Sequence, residues 1–321
     1  MRRVLAVALL LISATLVSCG RTTILKTAAD ECDPVRSLET GTTEHTLDVD
    51  GRARTYLLHL PEDYDGAEPI PVMFLFHGFG GDPKTLLDTT KMADVADDED
   101  FAIVAPQGAG LIPSWQFRDR NGEPSADITF THDLLRKVEQ EACVDRDRVY
   151  AAGFSNGSVL ALALACETSR DFAAFAAVSG PYYEPKCDDA PPRPILYFHG
   201  LKDVVVPYAG AQKTVIGPLP GVTDTLESWA EHDRCTRPAG TTHPSEHVLH
   251  YRWFGCTAGS AVEAYVVTDG GHRWPGGVDV PTPGSSSRGR NPNQGVMTQE
   301  IDASKLIWDF VRMHRNGRLG S

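Results

Sequence analysis

The chain has 321 residues, enough for one large α/β domain or two small ones and for a sizeable buried core. A hydrophobic share of 41% beside 23% charged residues is that of an ordinary soluble globular protein. The formal net charge of −13 argues against a nucleic-acid backbone as partner and against electrostatic docking on anionic lipid.

The N-terminus reads as a targeting segment. Arg2 and Arg3 precede a wholly apolar run, Val4 to Ile12, which is short for a bilayer span and fits a secretion signal. LVSC, Leu16 to Cys19, follows. A small residue before a cysteine, with leucine three places ahead, resembles a bacterial lipobox. The resemblance implies cleavage after residue 18 and diacylglycerol on the Cys19 sulfur. The protein would then be exported, lipid-anchored to the cell membrane and facing outward. A plain signal peptide with an incidental cysteine is the alternative. Residues 19–40 are polar, lack periodicity and read as a tether. No internal repeat or second linker follows, so 41–316 reads as one domain.

Within it, TYLLHL (55–60) alternates as an outer antiparallel strand does. Six short apolar runs read as buried parallel strands: VMFLF (72–76), AIVA (102–105), VYAA (149–152), FAAV (175–178), ILYF (195–198) and AYVV (264–267). Helical patterns fall between them. One starts at Asp82-Pro83, with a capping side chain and a proline in the first turn. Others run from Asp133 to Ala142, Ser158 to Glu167, Thr223 to Asp233 and Thr298 to Met313. This alternation predicts an α/β fold, a mostly parallel sheet with helices on both faces. Ligands then bind beyond the carboxyl ends of the strands.

GFSNG, Gly153 to Gly157, fits G-x-S-x-G and stands between a strand and a helix, the context that motif needs. The turn is so sharp that the positions two either side of Ser155 must lack side chains. A serine hydroxyl needs a base, and the base needs an orienting acid. The chain order of such sites is Ser, acid, His. Asp203 lies in HGLKD just past ILYF, and His272 lies in GGHRWPGG just past AYVV. Asp269 and Asp224 are rivals for the acid. Two amide donors must meet the oxyanion. Asn156, next after the nucleophile, and Phe79 in HGFGG (77–81) are the candidates. His77 reads as a structural hydrogen bonder. Trp115 and Trp274 sit in loops that could border the site as a substrate platform.

GFSNG, HG with Asp203 and VVPY, and GGHRWPG together resemble the polyhydroxybutyrate depolymerase and feruloyl esterase-like family of α/β-hydrolases. YLLHLPEDYDG and PVMFLFHGFGGD match its N-terminal sheet, and the likeness covers about residues 45–315. It implies an α/β-hydrolase fold and a serine carboxylic-ester hydrolase needing no cofactor, with Ser155, Asp203 and His272 as triad. A peptidase or thioesterase on the same triad, or a non-catalytic surface-binding module, is the alternative. Ser158 and Lys202 depart from the family pattern and are expected to alter the pocket rim.

Seven cysteines remain to be placed. With Cys19 lipidated, an even six are left for an oxidising compartment. Of fifteen pairings, chain proximity favours Cys166–Cys187 and Cys235–Cys256, leaving Cys32–Cys143. His243, His247 and His250 with Glu246 are spaced for one helix face, but Pro244 breaks such a helix, so no metal is expected. The acidic run 93–100 reads as a solvated helix end. Pro275 to Gly295 reads as a surface loop or mobile rim.

Overall fold

The computed structural model describes residues 32, 35, 36, 38–49, 51–118, 124–167, 170–280 and 294–316. Residues 1–18, Cys19, most of the tether and residues 281–293 of the 275–295 loop lie outside the described residues. The described residues form one ten-stranded sheet in the order β1-β2-β4-β3-β5-β6-β7-β10-β9-β8. The strands are β1 (Gly41–Val49), β2 (Arg52–Leu60), β3 (Ile70–Phe76), β4 (Ala102–Pro106), β5 (Val144–Phe154), β6 (Ala174–Val178), β7 (Ile195–Gly200), β8 (Thr236–Ser245), β9 (Val248–Phe254) and β10 (Val262–Val267).

The six runs expected to be parallel strands are β3, β4, β5, β6, β7 and β10, and all pair in parallel. TYLLHL lies in β2, which is antiparallel as expected. It is not outermost, because β1 pairs along its whole length. The β8–β9 hairpin closes the other flank and was not anticipated. It carries the histidines whose spacing suggested a helix face. His250 there pairs with Glu263 at 2.9 Å, and His247, in the turn between β8 and β9, pairs with Glu300 at 2.6 Å.

Among the described residues six α-helices cover the sheet: α1 (Pro83–Thr90), α2 (Met92–Glu99), α3 (Ala126–Glu141), α4 (Asn156–Glu167), α5 (Val222–His232) and α6 (Ala303–Val311). Alternate side chains of each parallel strand go to opposite faces. Val72, Phe74 and Phe76 pack with α3, α4 and α5. Met73 and Leu75 pack with α1, α2 and α6. Each such side chain, fully buried, contributes roughly 2 kcal/mol of transfer free energy. The acidic end of α2 is exposed, as expected.

Two helix starts moved by more than two residues. α3 starts seven residues earlier than expected, because the Ser125 hydroxyl accepts from the Ile128 amide and caps it there. α6 starts at an Asp302 cap instead of Thr298, whose carbonyl accepts from the Gly276 amide. Disulfides join Cys32 to Cys143, Cys166 to Cys187 and Cys235 to Cys256, the pairing that proximity favoured. Disulfides form and persist in oxidising compartments. No helix among the described residues is long and apolar enough to cross a membrane.

Register positions the site. Phe76 faces Gly153, Phe154 faces Val178, Val178 faces Phe198, and Gly200 faces Val267. The carboxyl ends of β3, β5, β6, β7 and β10 therefore align. The residues after them converge on one patch.

Candidate active site

Ser155 joins β5 to α4 with φ of 55°, a left-handed conformation that costs a non-glycine residue of order 1 kcal/mol. Its amide donates to Val178 O at 2.8 Å. The flanking glycines are a steric necessity. A Cβ on Gly153 would lie 2.2 Å from Gly157 O, and one on Gly157 would lie 2.2 Å from Phe76 O. Gly180, after β6, presses on the same turn, since its Cβ would lie 2.2 Å from Ser155 O.

His272 reaches this serine from the loop after β10. Gly270 and Gly271 let the loop fold tightly. A Cβ on Gly271 would meet Gln294 O at 2.0 Å, and one on Gly200 would meet Gly270 O at 2.2 Å. His272 Nε2 lies 2.9 Å from Ser155 Oγ, and its Nδ1 lies 2.7 Å from Asp203 Oδ2. A carboxylate only accepts, so Nδ1 carries the proton and the neutral ring's Nε2 accepts from the serine hydroxyl. Both His272 and Asp203 are buried, each about 4% exposed, so the bond between them is shielded from water, while Ser155 stays partly exposed. The other Asp203 oxygen, Oδ1, accepts from the Val205 and Val206 amides at 2.8 Å each. The rivals lie elsewhere. Asp224 is in the first turn of α5, and Asp269 precedes the two glycines without bonding His272.

The HGFGG turn passes beside the serine, since a Cβ on Gly78 would lie 3.2 Å from Ser155 Cβ. Among the described residues the Phe79 amide is given to no backbone carbonyl. Asn156 opens α4, where first-turn amides have no partner within the helix. His77 braces this turn. Its Nδ1–H donates to Gly78 O at 2.7 Å, and its Nε2 accepts from the Gly108 amide at 2.9 Å. Burial holds its pKa below the ordinary histidine value, which keeps it neutral for both bonds.

Trp115 is buried against Phe76 and His77 and is not part of the cavity lining. Its indole N–H donates to His77 O, and its backbone exchanges two hydrogen bonds with the Asn156 side chain. It therefore ties Asn156 to His77, the first residue of the HGFGG turn. Trp274 does line a cavity of about 280 Å³ beside His272. The wall includes Leu86, Phe154, Val278 and Met297, and the Trp274 indole is anchored on Ser304 Oγ at 3.0 Å.

Ser158 is not on the rim. It is fully buried and donates to Gly180 O at 2.8 Å, pinning the nucleophile turn to the end of β6. Lys202 is exposed, and its amide donates to Gly270 O, joining the Asp203 turn to the His272 loop. Sequence reasoning passed over His199, although it opens HGLKD. Its Nε2–H donates to Val206 O at 2.9 Å, and its Nδ1 accepts from Tyr197 Oη at 2.9 Å. Nε2 also lies 3.5 Å from Asp203 Oδ2. Burial lowers the His199 pKa to about 4, so a neutral imidazole backs the acid.

A family model described as "Putative esterase" matches residues 49–252. "Putative esterase NocK" of Nocardia uniformis subsp. tsuyamanensis is 30% identical over 74% of this chain and 75% of that protein. The chain belongs to this esterase family. The esterase is also 28% identical to a probable feruloyl esterase C of Aspergillus niger, over 68% of this chain and 76% of the relative. An acetyl xylan esterase from Aspergillus awamori shares its fold, with a TM-score of 0.56 at 13% identity over 72% of this chain and 94% of the other. The protein is thus a carboxylic ester hydrolase with an α/β-hydrolase fold.

Proposed function

We propose that the esterase works through Ser155, His272 and Asp203 by way of an acyl-enzyme. The continuous chain from Asp203 through His272 to Ser155 is the observation that carries this reading. Ser155 Oγ attacks the ester carbonyl as its proton passes to His272 Nε2. The carbonyl oxygen becomes an oxyanion and accepts from the Phe79 and Asn156 amides. The C–O bond then breaks, and His272 returns the proton to the leaving alkoxide. Water attacks the acyl-enzyme as its proton passes to His272; the acyl C–Oγ bond then breaks, His272 returns the proton to Ser155 Oγ, and the acid leaves. Asp203 keeps Nδ1 protonated and stabilises the transient imidazolium.

The cavity of about 280 Å³ is at the small end for a ligand site. Its apolar wall suits a short acyl chain, a hydroxyalkanoate unit or a single aryl group, and an aromatic acyl group agrees with the name of the Aspergillus niger relative. The LVSC motif supports export with lipid on Cys19, so the enzyme acts outside the cytoplasm while held at a membrane. Trapping an acyl group on Ser155 tests the mechanism.

A further inference from the structure

The sheet gives the molecule two poles. The carboxyl ends of the parallel strands carry Ser155 and His272. The chain enters at the other pole. Cys32 is bonded to Cys143, the residue immediately before β5, and β5 carries Ser155 at its far end. The Cys32 amide also donates to Ala67 O, ahead of β3, and the Arg36 guanidinium donates to Ala142 O. A second, independent feature agrees. Gly41, which starts β1, faces Leu60, and β2 runs antiparallel to β4, so β1 also begins at the amino pole.

From this we infer that the anchored esterase stands with its catalytic mouth turned away from the membrane. It would thus draw its esters from the aqueous or wall side and leave the lipids of its own bilayer untouched. The inference rests on the reading of Cys19 as lipidated. Cys19 and Cys32 are 13 positions apart. Fully drawn out, that length spans about 45 Å. The eleven residues of β5 rise about 33 Å from pole to pole. Turning the mouth to the bilayer requires most of that contour length, whereas the outward pose does not. At the entry pole the 61–69 loop carries exposed Glu62, Asp63 and Asp65 and no basic residue, so this loop adds no attraction to anionic lipid.

The test uses the full lipidated chain in phosphatidylcholine vesicles with an energy-transfer acceptor at the bilayer surface. Donor dye is placed on Glu62→Cys at the entry pole, or on Leu111→Cys in the exposed loop after β4. Val204→Cys, beside Asp203, serves as a second mouth position. Transfer should be several-fold weaker from both mouth positions than from Glu62→Cys. Equal or stronger transfer from the mouth overturns the inference. Vesicle flotation separates the two readings. A chain that fails to float refutes the anchor and the orientation with it, and one that floats tests orientation alone. A Gly/Ser insert of ~40 residues after Gly20 should let the mouth reach the bilayer. Hydrolysis of a bilayer-embedded ester should then rise, with soluble-ester turnover unchanged. Equal bilayer-ester rates with and without the insert contradict the outward pose.

Discussion

Replacing Asp203 by Asn keeps the size of the side chain and changes what it can offer. Oδ1 is held by two amide donors, from Val205 and Val206. An asparagine satisfies those donors only by placing its oxygen there, which turns its NH2 group toward His272 Nδ1, 2.7 Å away in the native protein. Two donors cannot face each other. The imidazole must move its proton to Nε2, and Nε2 then cannot accept from Ser155. The imidazolium formed during attack also loses its buried counter-charge. The same change in a serine-protease triad lowers kcat about ten-thousand-fold, which corresponds to about 5.5 kcal/mol of transition-state free energy. Asp203→Asn should therefore lose about four orders of magnitude in kcat on a soluble p-nitrophenyl ester at neutral pH, with KM little changed. Asp269→Asn and Asp224→Asn should stay within about tenfold, because neither carboxylate touches the imidazole. Circular dichroism would confirm folding of all three. If Asp203→Asn retains activity within tenfold of the native enzyme, the assignment of the acid is wrong.

Two further predictions follow from steric fit and burial. Gly157→Ala should cost at least about 3 kcal/mol in a denaturant titration, since its methyl group would meet two backbone carbonyls, whereas Gly51→Ala, with open space around it, should cost about 1 kcal/mol. His199 takes up its proton at about 4 when folded and near 6.5 when unfolded, so its contribution is complete above pH 6.5 and is lost as pH falls toward 4. The native protein should lose about 3 kcal/mol from this group across that window, and His199→Gln should flatten the profile by that amount. Parallel profiles would contradict the buried neutral imidazole.

The parts of the fold legible in the sequence are those with one dominant physical cause. The six parallel strands are buried on both faces, so each is a nearly unbroken apolar run. GFSNG was readable because its glycines answer a steric demand of 2.2 Å approaches on both sides of the serine. β1 was not readable, since its alternate residues are only half buried and that face carries only Leu47 and Val49 as large apolar side chains. β8 contains Pro238, Gly240 and Pro244, which advertise a turn; its pairing comes from β9. The early start of α3 was hidden by ITFT, whose β-branched residues favour strands, until the Ser125 cap and the burial of Ile128 and Phe130 decided it. Around the site, motif order gave Ser155, Asp203 and His272 but not the residues that hold them. Ser158 and Trp115 act through bonds to backbone carbonyls 22 and 38 positions away, which no local pattern encodes, and His199 bonds across the Asp203 turn to Val206 O, seven positions on.

The central claim is that an ester's acyl group passes through the Ser155 oxygen. A slowly deacylating aryl ester, quenched in acid after mixing, would be followed by digestion and mass spectrometry of the peptide spanning GFSNG. The account predicts that this peptide gains the mass of the acyl group, fixed to Ser155, and that Ser155→Ala gains none. An acyl group found on another residue, or turnover by Ser155→Ala at the native rate, would contradict it.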